Sequence, residues 1–236
     1  MKTGHLTAFR FVRFLFLFGF TACSFVFPAF AEPAVEIIQS ATVAQKGSVH
    51  IIFREIITSK QQSDWTAVYN ATVEVQIQQA DGSSEKQVFN GSTLPNFKPG
   101  KGKPADWQYS VVMANCAFPA SLKNRYYSWR FDTRSDSDEP CLRLNSKVPT
   151  VAVGSERVPA QFIEKLRQCD LSKLQFATSI LVHSGDRNDW RGSAGCLTIK
   201  PDDQEKFFDL LRNHPSGTLE ILRGIEDSET KQSYCY

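Results

Sequence analysis

The sequence lacks a surplus of either charge, and it lacks any internal repeat. Its 236 residues include 27 lysines and arginines and 25 aspartates and glutamates. Residues 1–31 hold three of the basic residues and none of the acidic ones, so the rest of the chain carries 24 basic and 25 acidic residues. This balance gives no reason to expect a nucleic acid or an anionic membrane surface as a partner.

The long apolar run of the chain lies near its N-terminus. Three basic residues precede Phe14–Phe27, and Ala29-Phe30-Ala31 places small residues at the two positions that a signal peptidase reads. We therefore predict a signal peptide over residues 1–31, cleaved before Glu32, and an exported protein of the periplasm or cell envelope. A transmembrane anchor fits less well, because the run is interrupted and shorter than the roughly 20 apolar residues of a span. A lipoprotein cleavage site at Cys23 is a second alternative.

Cysteines are few, and their number is odd once residues 1–31 are removed. The five that remain are Cys116, Cys141, Cys169, Cys196 and Cys235. Thiols of an exported protein tend to pair, so an odd number leaves one thiol unpaired and a candidate for reactivity. We assign that place to Cys196. The other four allow three pairings, of which we favour Cys116–Cys141 with Cys169–Cys235.

Alternating apolar residues predict a first half that is rich in strands, as at Val73, Val75 and Ile77. Two helices are predicted later, over residues 160–169 and 201–212, each beginning at or just after a proline. The expected fold class is mainly β (α+β), a barrel or sandwich with two helices in the C-terminal half. Residues 32–236 are expected to form a single domain, with 145–159 as its softest boundary. Strands are predicted over residues 48–57, 72–78, 86–89, 109–113, 127–131 and 218–223.

The sequence gives little support for a metal site. The charged loop 132–140 carries Asp132, Asp136 and Asp138, but their spacing departs from that of a calcium loop and the turn glycine is missing. A zinc site needs more clustered ligands than one histidine and one cysteine. We expect neither a metal nor an organic cofactor.

Histidine is also scarce, with only His50, His183 and His214 after residue 31. His50 falls inside a strand pattern. His214 lies at the end of a predicted helix, where it can complement the helix dipole. His183 differs from both, because it ends an apolar run and precedes a loop that contains glycine.

The run that ends on His183 is followed by a turn of small residues that ends on a cysteine. The two segments are Ser179-Ile180-Leu181-Val182-His183-Ser184-Gly185 and Ser193-Ala194-Gly195-Cys196-Leu197-Thr198-Ile199. Strands placed in this way can set a base beside a thiol, and an ion pair with the imidazole would lower the pKa of the thiol. Gly195 leaves room for backbone N–H groups to approach an oxyanion. The structural alternative is that Cys196 is a buried apolar residue or half of a disulfide.

This block resembles the active-site block of the L,D-transpeptidase (YkuD-like) family, in which a histidine at a strand end is followed by a loop and then by Ser-His-Gly-Cys. Weaker similarity extends to residues 90–95 and 207–211, so the resemblance covers about residues 48–224. It implies that Cys196 is the nucleophile and His183 the base. It also implies that a backbone carbonyl near Ser184 or Gly185 orients the imidazole.

The remaining matches concern the turn before the nucleophile. Ser193 and Gly195 correspond to the serine and glycine of the family, and the N–H groups of Gly195 and Cys196 are the implied oxyanion donors. Ala194 stands where the family usually has a second histidine, and Thr198 stands where many members have arginine. The interval from histidine to cysteine is also shorter than is typical. These departures weaken what the resemblance implies about how the substrate is held.

The resemblance implies an L,D-transpeptidase-like catalytic domain that acts on peptidoglycan stem peptides without a cofactor. The thiol would attack the carbonyl of the L-centre residue that precedes a terminal D-amino acid, forming a thioester. An amine acceptor would make the protein a transpeptidase, and water would make it an L,D-carboxypeptidase. The alternative is a non-catalytic, disulfide-stapled wall-binding protein on the same scaffold.

Overall fold

The computed structural model describes residues 47–58, 69–95, 109–115, 126–145, 147–154, 175–187 and 192–226. All of these residues belong to one compact unit, Val35–Tyr236. Strands predominate, so the prediction of a mainly β fold is confirmed. The elements are β1 Val49–Ile57, β2 Ala71–Gln78, β3 Ser84–Ser92, β4 Tyr109–Val112, β5 Tyr127–Thr133, β6 Pro140–Leu144, β7 Val148–Gly154, β8 Gln175–Ala177, β9 Leu181–Ser184, β10 Leu197–Ile199, α1 Pro201–Leu211 and β11 Ser216–Ile225.

Eight strands close into a barrel in the order β1-β11-β5-β6-β9-β10-β3-β2. The β1–β11 and β9–β10 pairs are parallel, and the other neighbours in the barrel are antiparallel. A second sheet has the order β4-β7-β8. Its strand β7 lies within the segment 145–159 that the sequence marked as the softest boundary.

The β2–β3 hairpin shows how the sequence specifies this barrel. Val73, Val75 and Ile77 are buried and alternate with more polar positions, as the period of two predicts. The turn between the strands contains Gly82 at φ +91°, a conformation that glycine adopts without steric cost. Asp81 accepts a hydrogen bond from the Ser83 N–H at 2.8 Å, which stabilises the turn.

The single helix among the described residues packs on the core of the barrel. Pro201 occupies its first turn, and Phe207, Phe208 and Leu211 are buried. The Phe207 ring meets Phe89 edge to face at a centroid distance of 5.3 Å. Burial of each such side chain contributes about 1.5–3 kcal/mol. The predicted helix over 160–169 lies outside the described residues, and no described helix has the length and apolar character needed to cross a membrane.

Charged side chains are buried inside one end of the barrel. Glu55 and Arg223 are directly paired across β1 and β11, and both are almost fully buried. The Glu55 carboxylate accepts hydrogen bonds from the Thr93 N–H at 2.7 Å and the Thr93 hydroxyl at 2.6 Å. Arg223 donates to Thr93 Oγ1 at 2.9 Å and to the Val112 carbonyl at 3.0 Å, and so links the barrel to β4. Burial lowers the pKa of Arg223 to about 10, against the opposing effect of Glu55.

Candidate active site

Cys196 and His183 belong to adjacent parallel strands. The register pairs Leu197 with Val182 and Thr198 with His183. Val182 and Leu197 face the core, so the alternation of a strand places His183 and Cys196 on the other face of the barrel wall, which we call the outer face. The Leu181 N–H donates to Cys196 Sγ at 3.4 Å, which places the sulfur beside β9, two residues before the histidine. Cys196 is a partly exposed thiol.

The His183 ring is held by the backbone of the next residue. Its Nδ1 lies 2.6 Å from the Ser184 carbonyl oxygen. A carbonyl can only accept, so Nδ1–H is the donor and Nε2 keeps its lone pair. The resemblance implied that a backbone carbonyl near Ser184 or Gly185 orients the imidazole. In the structure, the Ser184 carbonyl lies within hydrogen-bonding distance of the ring.

The buried position of His183 favours an uncharged ring. Desolvation lowers the pKa of His183 below its ordinary value, and the nearby Arg134 lowers it further, while the bond to Ser184 opposes both effects. Near neutral pH the ring is therefore an imidazole rather than an imidazolium. A neutral imidazole can accept a proton, which is what a base beside a thiol must do.

The turn before Cys196 is shaped by the buried side chain of Ser193. Its hydroxyl donates to the Cys196 carbonyl at 2.7 Å and accepts from the Gly195 N–H at 3.1 Å. Gly195 N–H, one of the two implied oxyanion donors, is therefore already bonded in this structure. The Ala194 carbonyl accepts from the Ser110 N–H at 3.0 Å, which fastens the turn to β4. A Cβ on Gly195 would lie 2.7 Å from Ser110 Oγ and 3.0 Å from the Ser110 carbonyl oxygen, so glycine lets β4 pack closely on the turn.

The loop after β9 is held by Tyr69, a residue that the sequence analysis missed. Its hydroxyl donates to the Arg187 carbonyl at 2.9 Å. Its ring also fills the space where a Cβ on Gly185 would lie, so Gly185 is needed for this packing. Tyr69 has φ +57°, an uncommon conformation for a residue with a bulky side chain. The far end of the loop begins at Gly192, whose backbone packs against the Asp186 carboxylate.

Arg134 lies in the β5–β6 hairpin and reaches the histidine. Residues 132–140 were predicted to form a solvated loop, and residues 135–139 are exposed. The hairpin is closed by the bond from the Arg134 N–H to the Glu139 carbonyl at 2.8 Å, and it places Arg134 Nη1 3.4 Å from His183 Nδ1. The guanidinium is held by two bonds to the Asp136 carboxylate, at 2.9 and 2.7 Å. Only 20% of the Arg134 side chain is exposed.

Cys141 lies on β6 next to the histidine. Leu142 pairs with Val182 across the antiparallel β6–β9 ladder, so Cys141 is the cross-strand neighbour of His183. Cys141 is a fully buried free thiol, and burial raises its pKa. The predicted Cys116–Cys141 bridge is therefore not present. Cys116, Cys169 and Cys235 lie outside the described residues.

Thr198 flanks His183 on the opposite side, on β10. It is fully buried, and among the described residues its hydroxyl has no hydrogen-bond partner. The resemblance expects an arginine at this position in many family members. Thr198 carries no charge. The arginines near the site are instead Arg134 of the β5–β6 hairpin and Arg143 of β6.

A groove of about 280 Å³ opens beside the C-terminal end of β9. It runs between that strand end, the start of β6 and one face of α1. Its charged lining residues are three acids and one arginine, so its net charge is negative, and the arginine, Arg212, donates to Asp209 at 2.6 Å. The residues that line the groove include Glu139, Ser184, Glu205, Asp209 and Arg212.

The other two histidines discussed above, His50 and His214, make their contacts elsewhere in the barrel and after α1. His50 Nδ1 is 2.8 Å from Thr218 Oγ1 on β11, and the His214 N–H donates to the Leu211 carbonyl just after α1. Within the described ranges, no three His, Cys, Asp or Glu side chains cluster as metal ligands would.

The site thus combines an oriented, neutral imidazole with a partly exposed thiol on the wall of a β-barrel. Comparison with known proteins gave no matching family model, no matching curated protein and no matching solved structure.

Proposed function

We propose that the protein is an exported cysteine acyl-transfer enzyme that acts on peptidoglycan stem peptides, with L,D-transpeptidase or L,D-carboxypeptidase chemistry on an L,D-transpeptidase-like domain. The observation that carries the proposal is the arrangement of Cys196 and His183. The Leu181 N–H fixes the thiol beside β9, and Ser184 fixes the ring so that Nε2 is the free base. The resemblance of the His183–Cys196 block supplies the class of substrate.

The reaction begins when Nε2 of His183 accepts the thiol proton as Cys196 Sγ attacks the substrate carbonyl. A C–S bond forms and a tetrahedral oxyanion develops. The C–N bond to the terminal D-amino acid then breaks, and the imidazolium returns the proton to the leaving amine. An amine or a water molecule next attacks the thioester, gives its proton to His183, and releases Cys196 as a thiol. No redox step or cofactor is needed.

The acidic groove supports an amine acceptor over water. Glu139, Glu205 and Asp209 line it next to Ser184, and the one lining arginine is bonded to Asp209. A groove of this charge attracts a cationic chain rather than an anionic one. We therefore favour transpeptidation, with the amine-bearing acceptor strand lying along α1.

The test is mass spectrometry of tetrapeptide stems incubated with the purified exported protein. We expect loss of the terminal D-alanine, and formation of a cross-linked product when an amine acceptor is present. Cys196→Ala should abolish both, and His183→Ala should slow them by on the order of 10²–10⁴. Cys141→Ala is the matched control, since it removes the buried neighbouring thiol, and it should retain turnover.

Reactivity of the thiol separates this proposal from a wall-binding protein. Cys196 should react with iodoacetamide in the folded protein, while Cys141 should not, because it is fully buried. A wild-type protein that binds peptidoglycan but releases no D-amino acid from any stem peptide would establish the binding-module alternative.

A further inference from the structure

His183 Nδ1 has two polar neighbours, of which one is a hydrogen-bond acceptor and the other a donor. The Ser184 carbonyl at 2.6 Å can only accept a hydrogen, whereas Arg134 Nη1 at 3.4 Å can only donate one. The shorter contact decides the tautomer, so Nδ1 carries the hydrogen and points it at Ser184. Arg134 then acts on the ring as a nearby positive charge and not as a hydrogen-bond donor.

Arg134 is built into this position. The hairpin backbone is closed on both sides of it, by Arg134 N–H to Glu139 O at 2.8 Å and Asp138 N–H to Arg134 O at 3.0 Å. Asp136 holds the guanidinium through two bonds, and Glu139 Oε2 lies 3.7 Å from Nη1. An arginine fixed by its own hairpin keeps its charge beside the histidine without depending on substrate.

The other charges around His183 come from each element packed against it. Glu139 of the hairpin and Asp186 of the following loop favour a protonated ring, and Arg134 opposes them. Removal of Arg134 would therefore leave the ring facing mainly carboxylates. The charged groups that act on the His183 ring are Arg134 and Glu139 of the hairpin and Asp186 of the loop. Cys141 of β6 is its cross-strand neighbour, and Glu205 and Asp209 of α1 line the groove beside Ser184.

We propose that Arg134 is a positioning residue whose charge keeps His183 a neutral imidazole, while the Ser184 carbonyl holds the hydrogen on Nδ1 and leaves Nε2 ready to accept the Cys196 proton. The inference rests on the proposed role of the Cys196–His183 pair. A neighbouring cation also destabilises the imidazolium formed during acylation. The proton on Nε2 is then passed more readily to the leaving amine, which completes C–N cleavage.

The experiment is an NMR titration of the His183 ring in the exported protein labelled with ¹³C,¹⁵N-histidine, with signals assigned by comparison with His183→Gln. Arg134→Gln should raise the pH midpoint of His183. Arg130→Gln is the matched control, because it removes the same charge from the same hairpin at a side chain that is 59% exposed, and it should leave the midpoint unchanged. A midpoint in Arg134→Gln equal to that of Arg130→Gln would overturn the proposal.

A second measurement does not depend on how the Arg134 variant folds. The ¹⁵N shifts of wild-type His183 above its midpoint should show hydrogen on Nδ1 and a lone pair on Nε2. Hydrogen on Nε2 would mean that Nδ1 accepts from Arg134, and the proposal would be wrong. Both readouts concern the ring alone, so they stand even if the stem-peptide assay shows no turnover and the proposed function fails.

Discussion

Ser193 controls the conformation at the nucleophile through one hydroxyl group. It joins the Gly195 N–H to the Cys196 carbonyl across the turn, and it is 3% exposed. From the sequence, Ser193 belongs to the site only because it matches the serine of the family that the block resembles. The structure supplies a physical reason, since this one hydroxyl bridges two backbone groups on either side of the turn.

Ser193→Ala should therefore both destabilise the protein and disturb the thiol. The change leaves the Gly195 N–H without its partner in a buried turn, which costs about 1–3 kcal/mol. Urea unfolding measures this cost, and iodoacetamide kinetics measure the change at Cys196. Ser83→Ala is the control, because it removes a hydroxyl from an exposed turn, where a change within about 0.5 kcal/mol is expected. Equal losses in the two variants would contradict the role given to Ser193.

At the scale of elements, local patterns predicted the strands that alternate clearly and missed those that do not. The predicted strands at 72–78 and 218–223 correspond to β2 and β11, and the helix predicted at 201–212 corresponds to α1. The short strand β6 begins at Pro140 directly after a charged loop, and three adjacent positions, Pro140, Cys141 and Leu142, show no alternation of apolar and polar residues. Its pairing with β9 is set by the barrel and not by its own sequence.

The same limit applies to the site. His183 and Cys196 are 13 residues apart and could be paired from the sequence. Arg134 and Tyr69 come from 49 and 118 residues away from the groups they contact, so only the barrel register brings them in. Gly185 was the one local signal for Tyr69, because a glycine after a strand end indicates a close approach of other atoms.

The contact between Gly185 and Tyr69 links β9 to the segment before β2, and it can be tested as a pair. Gly185→Ala should destabilise the protein by about 1–3 kcal/mol, because the new Cβ overlaps the Tyr69 hydroxyl. In a Tyr69→Ala background the same change should cost clearly less, since the overlapping ring is gone. A double-mutant cycle of unfolding free energies measures the difference. A Gly185→Ala cost that is the same in both backgrounds would mean that the two residues do not interact.

At the scale of the whole molecule, the barrel is closed by a parallel pair that buries charge. Glu55 and Arg223 face each other across β1 and β11, the strands nearest the two ends of the described chain. In the sequence, both residues occupy ordinary positions of strand patterns. The period of two along each strand puts them on the same face as Phe53 and Ile221. That pattern does not predict that the inner face of the barrel is polar at this point.

The final prediction concerns this buried network. Arg223→Met should destabilise the protein by about 3–5 kcal/mol, because it leaves Glu55 buried without the nearby guanidinium. Arg54→Met, on the exposed neighbouring position of β1, should change stability by no more than about 0.5 kcal/mol. Adding Glu55→Gln to Arg223→Met should recover part of the loss, since the uncompensated charge is then removed and the amide can still accept from Thr93. Chemical unfolding of the wild type, Arg54→Met, Arg223→Met, Glu55→Gln and the double variant measures these free energies. A double variant as unstable as the sum of its single changes would show that the two charges act independently, and that closure of the barrel does not depend on their pairing.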